Sequence, residues 1–128
     1  MNATEASIPH ARRLVHMCTR EEWDRARADG IRRTDSLDAE GFIHLSAPQQ
    51  VHLPANRLFG GRDDVVLLWL DPELLDAPVA WEPGVPTDPE SMRFPHLYGP
   101  LPMRAVVSVT EYRPGPDGSY PALSDPRE

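Results

Sequence analysis

Apolar positions in this chain come in short bursts, and the spacing within each burst predicts its element. Leu14-Val15-His16-Met17 reads as a first strand. Thr19 stands where a helix N-cap is expected, with Glu21 and Glu22 in the first turn, where carboxylates meet the positive end of the helix dipole. That helix continues through Trp23, Ala26 and Arg27 and stops at Asp29-Gly30. Residues 31–40 are polar and read as a loop into a strand over Phe42–Leu45. Ser46-Ala47-Pro48-Gln49-Gln50 then opens a second helix, with Val51, Ala55, Leu58 and Phe59 at helical spacing and Gly60-Gly61 at its end. Pro54 must fall early in that helix or divide it, because an interior proline lacks a donor and clashes with the preceding turn.

Val65–Leu70 is a continuous apolar run, the pattern of a strand covered on both faces. Asp71–Leu75 reads as a single helical turn, Val79–Glu82 as a short strand, and residues 83–93 as a proline-broken loop suited to be a lid. Ala105–Thr110 is the last strand. The order predicts an α+β domain with two short helices early and sheet late. Residues 1–11 read as a loose leader, 12–112 as the single domain, and 113–128 as a tail. Trp23, Trp69 and Trp81 each lie in an apolar element and are expected in the core.

Composition narrows the classes. At 128 residues one domain can bury roughly two-thirds of its unfolded surface. Twelve of the fifteen prolines follow residue 70, which favours short strands and extended loops there. Every basic side chain is Arg, so Schiff-base and lysine-anchored pyridoxal chemistry are excluded. The net charge of −7 is uneven: nine Arg face ten acids in residues 1–64, and four face ten in residues 65–128. That balance disfavours an extended nucleic-acid surface but leaves room for a small phosphate ligand near the first-half arginines. The single cysteine, Cys18, permits no internal disulfide and no cysteine-based zinc cluster. No window resembles a signal peptide or a membrane span, so a cytoplasmic protein without membrane contact is expected.

The candidate chemistry lies in two runs, Gly41-Phe42-Ile43-His44-Leu45-Ser46 and Phe94-Pro95-His96-Leu97-Tyr98-Gly99-Pro100-Leu101. Each sets an imidazole among apolar neighbours with a second polar group nearby, Ser46 or Tyr98. A buried imidazole needs partners, and a partnered one titrates near neutral pH. A single such histidine is usually structural. Two of them, with His16 on the first strand, point to one cleft lined by His16, His44 and His96, with Tyr98 at its mouth. No HxH or HxxxH spacing exists, so no metal is expected; the alternative is a site gathered from His16, His44, His52 and His96.

The same two runs, with Gln50, Phe59 and Val65–Asp71, resemble a bacterial family catalogued as domain of unknown function 952, over about residues 13–110. More distantly, Leu14-Val15-His16, the Trp23 helix ending in Gly30-Ile31, and Ile43-His44-Leu45-Ser46 are similar to the NAD-binding core of RNA 2′-phosphotransferases. Those belong to the ADP-ribosyltransferase superfamily, so the resemblance implies a small split antiparallel β core. It also implies an enzyme acting at the glycosidic bond of NAD or a related nucleotide, by ADP-ribosyl transfer or NAD glycohydrolysis, with NAD as co-substrate. Under that reading His16 holds a ribose, and Thr19, Ser46 and Arg57 complete the cofactor contacts. His44 or His96 is the general base, and Tyr98 stacks on nicotinamide or donates to it. Many such transferases use a glutamate on a late strand; Glu82 follows Trp81 on one, but in a non-matching motif, and reads as a surface acid. Glu40 and Phe42 stand where the phosphotransferases carry a basic residue, so RNA 2′-phosphate transfer itself is not expected. The alternatives are a cofactor-independent lyase, isomerase or cyclase using His44 and His96 as an acid–base pair, or a non-catalytic ligand-binding module.

Overall fold

Helix α1 (Arg20–Asp29) starts on a complete capping box. The Thr19 hydroxyl accepts the Glu22 N–H at 3.1 Å, and the Glu22 carboxylate accepts the Thr19 N–H at 2.8 Å, so two otherwise orphaned donors are satisfied. The computed structural model describes residues 13–84 and 92–123. Within them β1 (Leu14–Thr19) leads into α1, and β2 (Ile31–Arg32), α2 (Asp35–Glu40) and β3 (Ile43–His44) follow. Next come α3 (His52–Leu58), β4 (Val65–Leu70), β5 (Val79–Pro83), β6 (Arg93–Leu97), β7 (Leu101–Pro102) and β8 (Val106–Glu111).

The fold is α+β, built on three small antiparallel sheets ordered β1-β4-β8, β3-β6-β5 and β2-β7. The two larger sheets meet where Val15 and Ser46 exchange backbone hydrogen bonds of 2.8 and 2.9 Å. Strand β4 is buried on both faces, as its unbroken apolar run requires. Val66, Leu68 and Leu70, with Leu14 and Cys18, pack against Ile43, Leu45, Leu97 and Leu101. Val65 and Leu67, with Val15, pack instead on Val51 and Ala55 of the α3 region and on Tyr112 and Tyr120.

Four expectations are corrected. The polar stretch 31–40 is not a loop: it forms β2 and α2, the latter capped by Thr34, whose hydroxyl accepts the Leu37 N–H. The helices therefore number three among the described residues, not two. Both α1 and α2 end on a glycine in the left-handed region, Gly30 at φ 79° and Gly41 at φ 91°, where a side chain would be strained. Trp81 is not core. It lies 47% exposed on β5, an edge strand, while Val79 two residues before it joins the core. Nor is the stretch after Arg113 all tail. Tyr120 is buried, donates to the carbonyls of Phe59 and Arg62, and exchanges two hydrogen bonds with Asn56.

Other expectations meet the structure directly. Pro54 falls in the first turn of α3, after a separate 3₁₀ turn at Pro48–Gln50. Most of the expected lid, residues 85–91, lies outside the described residues, as do the leader and residues 124–128. No helix of the described residues is long and apolar enough to cross a membrane.

Candidate active site

Strand register decides which side chains share a face. On the β3-β6-β5 sheet His44 stands opposite His96, and His96 opposite Ala80. Because side chains alternate, Glu82 on β5 falls on the same face as His96, while Ile43, Leu97 and Val79 turn to the core. The chain on either side of these strands adds Phe42 and Tyr98 to the imidazole face. Phe42 stacks on His96 with ring centroids 4.0 Å apart and an interplanar angle of 9°. His44 meets His96 edge-on at 5.2 Å.

Beside His44 lies a cavity of about 350 Å³. Its apolar wall includes Leu45, Pro54, Leu58, Phe59 and Phe94. Its polar wall carries His16, His44, Ser46, Thr34, Ser36, Glu40 and Arg57. Strand β1 brings His16, β3 and the residues after it bring His44 and Ser46, α2 and its cap bring Thr34, Ser36 and Glu40, α3 brings Arg57, and β6 brings Phe94.

His16 is buried and fully committed. Arg32 Nε can only donate, and it lies 2.8 Å from His16 Nε2, so that nitrogen is the acceptor. The proton therefore sits on Nδ1, which donates to the His44 carbonyl at 2.9 Å. Burial, reinforced by the Arg32 charge, pushes the His16 pKa down to about 3. His16 is thus a neutral fastener between β1, β2 and β3, with neither nitrogen open to a ligand.

His44 is different. Its side chain is 49% exposed, and Nε2 lies 3.3 Å from Glu40 Oε1. That contact directs the Nε2 proton to the carboxylate and leaves the Nδ1 lone pair open. Burial and the neighbouring His96 hold its pKa below the ordinary histidine value, with Glu40 opposing them. At neutral pH His44 is therefore an unprotonated imidazole in a cavity wall, oriented by a carboxylate, which is the state a general base needs.

His96 is almost wholly buried, with Nδ1 2.8 Å from Glu82 Oε1. Tyr98 donates to the same oxygen at 2.7 Å. These three residues lie behind His44 rather than in the cavity wall.

The cleft expected from His16, His44 and His96 is therefore divided. His16, His44, Ser46 and Arg57 line the cavity; His96 and Tyr98 stand behind it. Thr19 is spent on the α1 cap and is not in the lining. Burial pushes the Cys18 thiol up to about 11, so it offers no thiolate at neutral pH. Among the described residues no three His, Cys, Asp or Glu side chains converge as metal ligands, including His16, His44, His52 and His96. Two residues escaped sequence reasoning. Glu82 is the partner of both His96 and Tyr98, a role legible only from the β5–β6 register. Arg32 lies in a stretch read as loop, and nothing in the sequence linked it to His16.

The fold and site define a small α+β protein of antiparallel sheets with a histidine-bearing cleft. By its sequence the chain belongs to the protein family of unknown function DUF952, whose model matches residues 17–109. It is similar to the crystal structure of protein CC0527 from Caulobacter crescentus, at 34% identity and a TM-score of 0.72, covering 85% of this chain and 93% of that one. The solution NMR structure of the same Caulobacter crescentus protein matches at 34% identity and a TM-score of 0.69, covering 84% of this chain and 90% of that one. No curated protein gives a significant match.

Proposed function

We propose that the cavity binds NAD or a related nucleotide and that the protein transfers or hydrolyses at its glycosidic carbon, with His44 as general base. The observation that carries this is the place of His44: in the cavity wall, with Nε2 3.3 Å from the Glu40 carboxylate and Nδ1 without a hydrogen-bond partner among the described residues. The lining suits a nucleotide. Phe59, Phe94, Leu58 and Pro54 offer an apolar wall for a ring, and Ser46, Thr34 and Ser36 offer hydroxyls for a ribose. Arg57, exposed at the cavity and without a partner among the described residues, suits a diphosphate.

NAD supplies the glycosidic C–N bond whose cleavage releases nicotinamide. His44 Nδ1 takes a proton from the acceptor, water or another nucleophile, as its oxygen bonds the sugar carbon. The C–N bonding pair leaves with nicotinamide, and His44 returns its proton to solvent. Glu40 stabilises the imidazolium formed in between. His16 takes a structural part in this scheme, since both its nitrogens are occupied. A cofactor-independent acid–base pair of His44 and His96 is less well supported, because His96 is 2% exposed and absent from the lining.

Calorimetry with NAD and ADP-ribose, paired with an assay of nicotinamide release, tests the reading. Saturable binding is expected, and His44→Ala should lower turnover by about 10²–10⁴-fold, the range of a lost general base, with an unchanged melting profile. Absence of saturable binding at millimolar ligand ends the NAD reading.

A further inference from the structure

Behind the cavity, Glu82 Oε1 accepts two hydrogen bonds at once, from His96 Nδ1 at 2.8 Å and from the Tyr98 hydroxyl at 2.7 Å. A surface carboxylate has no need of such company. Of the three residues, His96 is buried, while Glu82 and Tyr98 stand partly open to solvent. The other His96 nitrogen, Nε2, is buried and has no hydrogen-bond partner. A lone buried polar atom is costly, so a ring free to turn would give it up. The ring is instead clamped: Glu82 holds one edge, and Phe42 covers one face at 4.0 Å. Phe42 and His96 then both touch His44 edge-on, at 5.0 and 5.2 Å. The orientation of the exposed imidazole is thus set from behind by these two rings, and from the side by Glu40.

We infer that Glu82 is a positioning residue: it fixes the His96 ring as the Nδ1–H tautomer, and through the His96–Phe42 stack it sets the orientation of the His44 imidazole. Tyr98 completes the device by anchoring the carboxylate. The chain of contacts runs Tyr98, Glu82, His96, Phe42 and His44 across three strands. It gives His44 two carboxylate supports, Glu40 directly and Glu82 through the His96 and Phe42 rings. The importance of this device for chemistry rests on the reading of His44 as the base, but its geometry does not.

The test needs no substrate. Nitrogen-detected NMR of labelled protein reads the tautomer of each histidine, and peptide mapping reads the rate at which diethyl pyrocarbonate modifies His44. In the wild type His96 should carry its proton on Nδ1; an Nε2–H tautomer there overturns the proposal. Glu82→Ala should lose that tautomer and change the His44 modification rate by about twofold or more, the lower end of coupling between residues in contact. Glu82→Gln keeps an oxygen able to accept from His96, so it should restore both readouts to near the wild-type values. If Glu82→Ala lowers the melting temperature while leaving the His44 rate and signals unchanged, Glu82 is only structural and the inference fails. Should Glu82→Ala not fold, Tyr98→Phe decides: it removes one anchor of the carboxylate and should shift the His96 and His44 signals together, whereas a shift of neither overturns the proposal. Failure of NAD to bind leaves every one of these readouts standing.

Discussion

His16 and Arg57 face the same cavity and do opposite things. His16 is neutral in the fold, with a pKa near 3, whereas in the unfolded chain it titrates near 6.5. Below pH 6.5 the unfolded state binds a proton that the folded state refuses, so stability falls as pH falls, by up to about 1.4 kcal/mol per pH unit. Urea unfolding between pH 7 and 5 should show that slope, and His16→Gln, which cannot titrate, should flatten it while lowering stability at neutral pH. A slope identical in wild type and variant means that His16 is not the group responsible. Arg57 acts outward. If the cavity holds NAD as proposed, Arg57→Ala should weaken that binding by about 1–3 kcal/mol, the cost of a lost charge-assisted hydrogen bond. Raising salt should weaken wild-type binding and affect the variant less, which calorimetry at two ionic strengths would reveal. The sequence singled out His16, His44 and His96 but could not rank them. An imidazole in an apolar run is fastener or reagent according to what meets its two nitrogens, and those partners, Arg32, Glu40 and Glu82, come from other elements. Glu82 read as a surface acid because the motif around it matches nothing, and the β5–β6 register that brings it to His96 is not written in its neighbours.

Elements with local signals were legible. The Thr19 cap, the Gly30 stop and the buried β4 run at Val65–Leu70 each follow from chemistry within a few residues. Residues 31–40 were not, because β2 is two residues long and exists only through its pairing with β7. Helix α2 has no fully buried residue, so no apolar period announces it; Thr34 and Gly41 alone define its ends. That makes Gly41 a hinge between α2 and the strand carrying His44. Its N–H bonds the carbonyls of Leu37 and Ser36, and a Cβ added there would meet nothing within 4 Å. The cost of Gly41→Ala is therefore conformational alone, about 1–2 kcal/mol for the left-handed backbone. Gly41→Asn should cost less, since Asn tolerates that region. Equal losses for the two variants in urea unfolding would point to a packing clash instead and contradict the open space around the site.

At the scale of the molecule, β4 divides two cores, and the cavity depends on both. One core joins the larger sheets; the other seats α3 against β1 and β4 and is closed by Tyr112 and Tyr120. Membership of the DUF952 family was legible in the sequence, and the family model matches residues 17–109, a span that stops short of both tyrosines. The role of Tyr120 was hidden because the stretch after Arg113 is polar and rich in Pro and Gly, the composition of a tail, and among its described residues Tyr120 and Leu123 are the side chains that pack on the core. Tyr120 fills the gap beside Val51 and Ala55 and donates to the carbonyls of Phe59 and Arg62, at the end of the helix that carries Arg57 and Leu58 to the cavity. Tyr120→Ala should then cost about 3–5 kcal/mol, as for other large core aromatics. Tyr120→Phe, which keeps the packing but removes the hydroxyl shared by the Phe59 and Arg62 carbonyls, should cost about 1–3 kcal/mol. Since the lost contacts hold α3, amide exchange in residues 52–58 should rise in the Ala variant before exchange in β4 does. If α3 and β4 lose protection together, the two cores unfold as one unit, and the cavity wall has no separate dependence on this tyrosine.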